Sequence, residues 1–243
     1  DRKLALTKAG KILYETTSVI RNDEEIMIKR MQEKQSTIEL VLGVTLTAGE
    51  YALAKPLSVF LNKHPEMNMH IIYGNAEQLL AKLDNGEIHF ALIEGYFPSH
   101  KYEQLLYYTD SFICVCAKNH TFSKKVNHIE DLLNERILIR ETGSGTRDLL
   151  DSYLKTYNLS YLDFKNHLEI ESISSIISLL KNDCGISFLY RLSVEEELKN
   201  GSLKEIKIQN LQLHHDTTFL WNKNSVYSKK YKEICKELIG GFN

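Results

Sequence analysis

Four short stretches of this 243-residue chain gather hydroxyls, glycines and carboxylates in patterns able to grip a ligand. In Glu141-Thr142-Gly143-Ser144-Gly145-Thr146-Arg147, an apolar run stops at two glycines interleaved with hydroxyls, and a helical pattern follows. Such a turn aims backbone N–H groups and hydroxyls at one point, which favours something negative. In Thr45-Leu46-Thr47-Ala48-Gly49, the two threonines share a strand face and the amides of Ala48 and Gly49 follow at a helix start. Glu94-Gly95-Tyr96 and Glu171-Ser172 complete the set. The chemistry on offer is non-covalent: hydroxyls and amides donating to a carboxylate or sulfate oxygen. For each hydroxyl there is a second reading as a helix cap, by Thr142 or Ser144, by Thr47, and by Ser172. Glu94 fits less easily, because a carboxylate at the mouth repels an anion. It is either half of a salt bridge, with Arg140 or Lys118, or the partner of a ligand bearing both an anionic and an amino end.

Other chemistries lack their residues. Neither Gly143 nor Gly145 is followed by lysine, as a phosphate-binding Walker loop requires, and Asp148 stands where a dinucleotide fingerprint needs its third glycine. No G-x-S-x-G context, no HExxH grouping and no CxxC spacing occurs, so no catalytic residue, no metal and no cofactor is expected. Asp148 and Asp151 read as a solvated helix face, and His70 and His89 as packed histidines inside strands. Cys114, Cys116, Cys184 and Cys235 read as free thiols of a reducing cytoplasm.

The elements that must position these stretches alternate. Apolar runs at 38–46, 67–74 and 88–95 separate helical patterns at 51–64 and 76–87, the signature of a parallel sheet covered on both faces. Strands at 104–109 and 111–118 follow. A second alternation then begins, with its own sheet expected: helix 129–134, strand 136–141, helix 144–157, strand 167–172, helix 173–183, strand 185–190 and helix 193–200. Strands 203–208 and 214–222 and a helix at 228–239 close the chain. Two α/β halves joined by extended segments describe a hinged, two-lobed molecule. In open α/β sheets ligands settle beyond the carboxyl ends of the strands, so the four stretches, two from each lobe, can face one cleft.

Ahead of this body, Thr7 to about Gln35 reads as one long helix with Thr7 as its N-cap. Its apolar stripe, including Ile12, Leu13, Val19, Ile20 and Met27, is narrow and broken by Asp23 and Arg30, which suits pairing with a helix of another copy better than core packing.

The net charge of −2 argues against a surface that grips nucleic acid throughout, and no apolar run is long enough for a membrane helix. The chain opens at Asp1 without Met or a basic-then-apolar leader, and reads as a fragment or a processed chain.

Taken in order, these motifs resemble the LysR-type transcriptional regulators. "LALTKAGKILYETT" resembles the end of their winged DNA-binding head running into the linker helix. "VTLTAGEYALAKPLSVFLNKHPEMNMHIIYGNAEQLLAKLDNGEIHFALIEG" resembles the first lobe of their effector domain. "ILIRETGSGTRDLLDSYL", "LEIESISSIISLLKNDCGISFLYR" and "LQLHHDTTFLWNKN" resemble the second lobe and the return crossing. The resemblance implies a type II periplasmic-binding-protein-like effector domain behind a dimerisation helix. Residues 1–7 would be a remnant of the wing, 8–36 the linker helix, 37–115 with 220–240 one lobe, and 116–219 the other. It further implies a dimer or tetramer, a small anionic metabolite as effector, held by Thr45, Thr47, Ala48, Gly49, Glu94, Gly95, Thr142, Gly143, Ser144, Thr146 and Ser172, and DNA contact through the missing N-terminal head. The combination of 93–95 with 141–147 resembles most the branch that regulates sulfur and cysteine metabolism. Two departures stand out: Tyr190 where the family usually has proline, and Asp183-Cys184 where glycine and an apolar residue are usual. Both are expected on the hinge side of the cleft, so effector identity does not carry over. Rival readings are a transporter's solute-binding protein, which shares the clamshell, and a two-lobed α/β enzyme.

Overall fold

The computed structural model describes residues 5–32 and 38–242. Helix α1 (Lys8–Gln32) opens the chain, and the Thr7 hydroxyl caps it by accepting the Gly10 N–H at 3.0 Å. Residues 33–37, which include the end expected for this helix, lie outside the described residues. There follow β1 (Ile38–Thr45), a wide π-helical turn (Ala48–Leu53) running into α2 (Ala54–Lys63), β2 (Met67–Gly74), α3 (Ala76–Asp84) and β3 (Phe90–Glu94). The long strand β4 (Tyr102–Ala117) leads to β5 (Arg136–Ile139), α4 (Gly145–Thr156), β6 (Asn166–Glu169), α5 (Ile173–Lys181) and β7 (Ile186–Tyr190). The chain ends in α6 (Glu195–Asn200), β8 (Leu203–Ile206), β9 (Leu213–Asn222) and α7 (Ser228–Phe242). The helix expected at 129–134 is a single 3-10 turn, Ile129–Leu132, and the one expected from 193 starts as another, Arg191–Val194.

The expected second sheet is not separate. All nine strands form one hydrogen-bonded sheet in the order β2-β1-β3-β9-β4-β7-β5-β6, with β8 pairing β4. The reason is the length of β4. Residues 102–112 ladder with β9, with a bulge between Leu106 and Tyr108, and residues 112–117 continue onto β7 and β8. The polar step Thr109-Asp110-Ser111 looked like a break between two strands. It passes through the sheet because each group is answered: Thr109 donates to Asp216 at 2.6 Å, and Asp110 accepts the Leu192 N–H at 2.9 Å. A paired polar residue costs a strand little; an unpaired one would end it.

Strand alternation then fixes the cores. Leu40, Leu42 and Val44 of β1 pack with Phe60 of α2 and Ile234 and Leu238 of α7, while Ala91 and Ile93 of β3 pack on the other face with Leu79 and Leu83 of α3. At the far end of the sheet, Cys114, Ile137 and Phe188 meet Leu150 and Leu154 of α4, and Val115, Leu138 and Leu189 meet Ile176 and Leu180 of α5. Phe112 to Cys116 already belong to these far cores. The parallel strands β1, β2 and β3 at one end, and β5, β6 and β7 at the other, present the loops that follow them.

Candidate functional site

The loop after β5 and the end of β3 meet at van der Waals distance. A Cβ on Gly145 would lie 2.6 Å from the carbonyl oxygen of Glu94 and 3.3 Å from the Cα of Gly95, so no side chain fits between the α4 start and the β3 end. Gly95 itself takes φ +135, a conformation that side chains resist. Two strand ends roughly fifty residues apart in sequence are thus pressed together without a side-chain spacer.

Glu94 is the centre of this junction. It is 3% exposed. Its Oε1 accepts the Thr47 hydroxyl at 2.6 Å, its backbone N–H donates to the Thr45 hydroxyl at 3.3 Å, and its Oε2, fully buried, has no partner among the described residues. Burial pushes its pKa up to about 7, opposed by the Thr47 hydrogen bond, the charge of Arg140 and, least, the Thr146 hydroxyl, and reinforced by Asp110. Around it stand three more buried polar atoms without partners: the Thr146 hydroxyl, the Tyr190 hydroxyl and Nδ1 of His215. The Tyr190 ring lies 6.2 Å from that of His215, which meets Tyr96 edge-on at 5.6 Å. The negative charge of Glu94 raises the phenol pKa of both Tyr190 and Tyr108, after burial itself. Buried polar atoms short of hydrogen bonds are rare and costly, and here four lie close together, with only Thr146 acting weakly on Glu94 and the Asp216 backbone on His215.

Beside the junction opens a recess of about 450 Å³ lined by Leu46, Tyr73, Asn75, Gln78, Thr142 and three glutamates, Glu141, Glu169 and Glu171. Two of the three are answered. Buried Arg140 holds Glu141 through two hydrogen bonds, at 2.8 and 2.9 Å, and buried Arg147 reaches Glu169 at 3.1 Å and Asp151 at 2.9 Å while lying over the Tyr161 ring at 4.2 Å. The salt bridge read for Glu94 is therefore absent: Arg140 is committed to Glu141, and Lys118 lies near Gly201.

The other expected residues divide. Thr45, Thr47, Ala48 and Gly49 are buried together at the β1 end, the threonines bonded to Glu94 and Gly49 packed so closely on the Tyr73 ring that a Cβ would overlap it. Thr47 makes no cap bond. Ser144 and Thr146 are 3% exposed at the α4 start, where Ser144 makes no side-chain cap bond, and Gly143 turns at φ +87 against Asn75. Ser172 stands apart: it is half-buried, and its hydroxyl caps α5 by accepting the Ser175 N–H at 3.2 Å. On α1, Ile12, Leu13, Ile20 and Met27 are exposed and Val19 is half-buried, while Asp23 ties the helix to the body by accepting the Ser225 hydroxyl at 2.8 Å and the Val226 N–H at 2.9 Å. Among the described residues no group of three His, Cys, Asp or Glu is placed to hold a metal ion, and no helix is long and apolar enough to cross a membrane.

Sequence reasoning missed the aromatic wall. Tyr108 and His215 carried no signal, since each reads as an ordinary strand residue. Tyr190 was noticed only as a departure. It and Asp183-Cys184 were expected on one side, but they occupy opposite ends of β7: Tyr190 faces Glu94, whereas Asp183 bonds His120 at 2.5 Å at the other pole.

A mixed sheet with helices on both faces and polar loops meeting beyond the ends of its parallel strands is the form of a type II periplasmic-binding-protein-like effector domain. Residues 33–241 match the family model of the LysR substrate binding domain, and the chain belongs to that family. A probable RuBisCO transcriptional regulator of Gracilaria tenuistipitata var. liui is 25% identical over 98% of this chain and 79% of its own length. Among solved structures, the CcmR regulatory domain of Synechocystis PCC6803 in complex with 2-PG superposes with a TM-score of 0.72, at 20% identity, over 84% of this chain and 97% of that one. The effector binding domain of QuiR in complex with shikimate gives 0.67, also at 20% identity, over 82% and 96%. The chain is the effector-binding part of a LysR-type transcription regulator. The relatives' names point elsewhere than the sulfur and cysteine branch that 93–95 with 141–147 resembles.

Proposed function

We propose that this domain senses a small metabolite at the junction of the β1, β3 and β5 ends and reports it through α1 to a DNA-binding head, as one copy of a cytoplasmic dimer or tetramer. The observation that carries the reading is the direct packing of Gly145 on Glu94 beside four buried polar atoms that lack well-formed hydrogen bonds. Two lobes that move against each other at β4 and β9 would open or close that seam, and a ligand preferring one angle would shift the population toward it. The division of the apolar cores supports lobes whose changeover lies near 109–111 on β4 and 213–217 on β9. An anionic end of the effector would sit at the α4 start, where Ser144 is not spent as a cap and the helix dipole favours negative charge. Thr142, Gly143, Thr146 and Gly95 would line it, with Thr45, Thr47, Ala48 and Gly49 behind. Exposed Ile12, Leu13, Ile20 and Met27, with Val19, would pair with the same helix of a second copy.

A metabolite panel read by thermal shift tests the sensor, run in parallel on a Gly145→Ala variant. Binding is expected in the natural chain and lost in the variant; equal binding by both refutes the site. Light scattering tests the helix: a monomer at all concentrations refutes the pairing.

A further inference from the structure

We propose that the effector presents an ammonium group to the free Oε2 of Glu94, so that the site takes a zwitterion of amino-acid type rather than a simple dianion. The proposal rests on the sensor reading and deepens it. Its first support is the state of Glu94. A carboxylate buried this completely, with the Thr47 hydroxyl on Oε1 and only the weaker pull of the Thr146 hydroxyl besides, is under-solvated as it stands. A donor carrying positive charge satisfies it best, because a buried ion is stabilised mainly by an opposite charge in hydrogen-bond contact. Arg140, whose charge acts on Glu94, is held by Glu141 in two hydrogen bonds and makes none to Glu94.

The second support is the wall. The Tyr190 and Tyr108 rings lie within electrostatic range of Glu94, and aromatic faces attract ammonium groups when water is excluded. The third is the recess, whose lining includes Glu171 with no hydrogen bond or ion pair among the described residues, a surface that repels a dianion on approach. The uncapped start of α4, packed against the Glu94 carbonyl, supplies the complementary seat for a carboxylate. An acid and an amine on neighbouring carbons fit that pair of seats.

The groups facing Glu94 also set a pH signature. Arg140 favours its charged form, while Asp110 and burial oppose it, and Tyr108 and Tyr190 stay neutral phenols. An ammonium ligand needs the ionised carboxylate, so its affinity should rise with pH and level off above about 7.

The test uses matched pairs that differ by one amino group, succinate against aspartate and glutarate against glutamate, with 1,4-diaminobutane as the amine lacking a carboxylate. Each is titrated calorimetrically into the natural chain and into Glu94→Gln, whose amide oxygen still accepts from Thr47. The amino member of a pair should bind at least about tenfold tighter than its partner. The variant should lose that preference while keeping its affinity for the diacid. If Glu94→Gln does not fold, the natural chain alone decides, through the rise with pH of the amino member's affinity. Tighter binding of the diacids, tighter binding of the diamine than of either amino acid, or a preference that survives Glu94→Gln with no rise with pH, overturns the proposal and leaves the sensor reading standing. Binding of no probe overturns both.

Discussion

Two serines open two neighbouring helices with nearly the same backbone. Ser144 precedes α4 at φ −78, ψ 134, and Ser172 precedes α5 at φ −89, ψ 119. Both are the residue type that favours an N-cap. Ser172 behaves as that preference expects, half-buried and bonded to the Ser175 N–H and the Ser174 hydroxyl. Ser144 is buried, next to the Gly145 that packs on Glu94 and Gly95, and makes no side-chain cap bond to its helix. The difference lies in what packs above them. The half-buried helix start is satisfied by its own serine; the one pressed against another strand end is not.

The contrast is most exposed to failure at Glu94, whose carbonyl packs on Gly145 beside Ser144. Its pKa is pushed from the ordinary 4.5 to about 7 by burial, so the folded chain binds a proton that the unfolded chain has released. Stability from this group is complete below about pH 4.5 and is lost as pH rises to about 7, a change of up to about 3 kcal/mol. Glu94→Gln should flatten that part of the pH–stability curve relative to the natural chain; unchanged slopes would mean that the carboxylate is not buried in solution. Gly145→Ala comes next. Its methyl must displace a backbone carbonyl, which should lower stability by about 2 kcal/mol in a denaturant melt. A variant as stable as the natural chain would show that α4 and β3 do not touch.

Smaller effects sharpen the comparison itself. Ser172→Ala should cost about 1 kcal/mol, the usual worth of a cap, without altering effector affinity. Ser144→Ala should do the reverse, changing stability by only a few tenths of a kcal/mol, since no cap bond is lost, while weakening effector binding. If the two variants exchange these outcomes, the roles assigned to the two serines are inverted.

Much of this organisation was legible beforehand. The runs at 38–46 and 67–74 became β1 and β2 almost residue for residue, because continuous apolar strands between amphipathic helices have few other ways to bury themselves. The glycine turn at 142–146 was legible as a meeting point for the same reason: strand-to-helix loops fall at the carboxyl edge. The unity of the sheet was not. Asp110 looks like an interruption until it is seen opposite His215 in the ladder, a pairing across about a hundred residues that periodicity does not encode. Nor was the partner of Glu94 legible: Arg140 stood nearby in the pattern, but Glu141 took it, and a threonine at the end of another strand answered the carboxylate.

From residue order alone came the alternation of strands and helices, the edge at which the loops gather, and the residue types available there, all set by local periodicity and backbone preference. Which hydroxyls become buried, and that Glu94, Thr146 and Tyr190 all lie out of solvent, was decided only when distant segments closed over one another. Solvent exclusion and hydrogen-bond saturation belong to contacts between segments, and no stretch of chain carries them by itself.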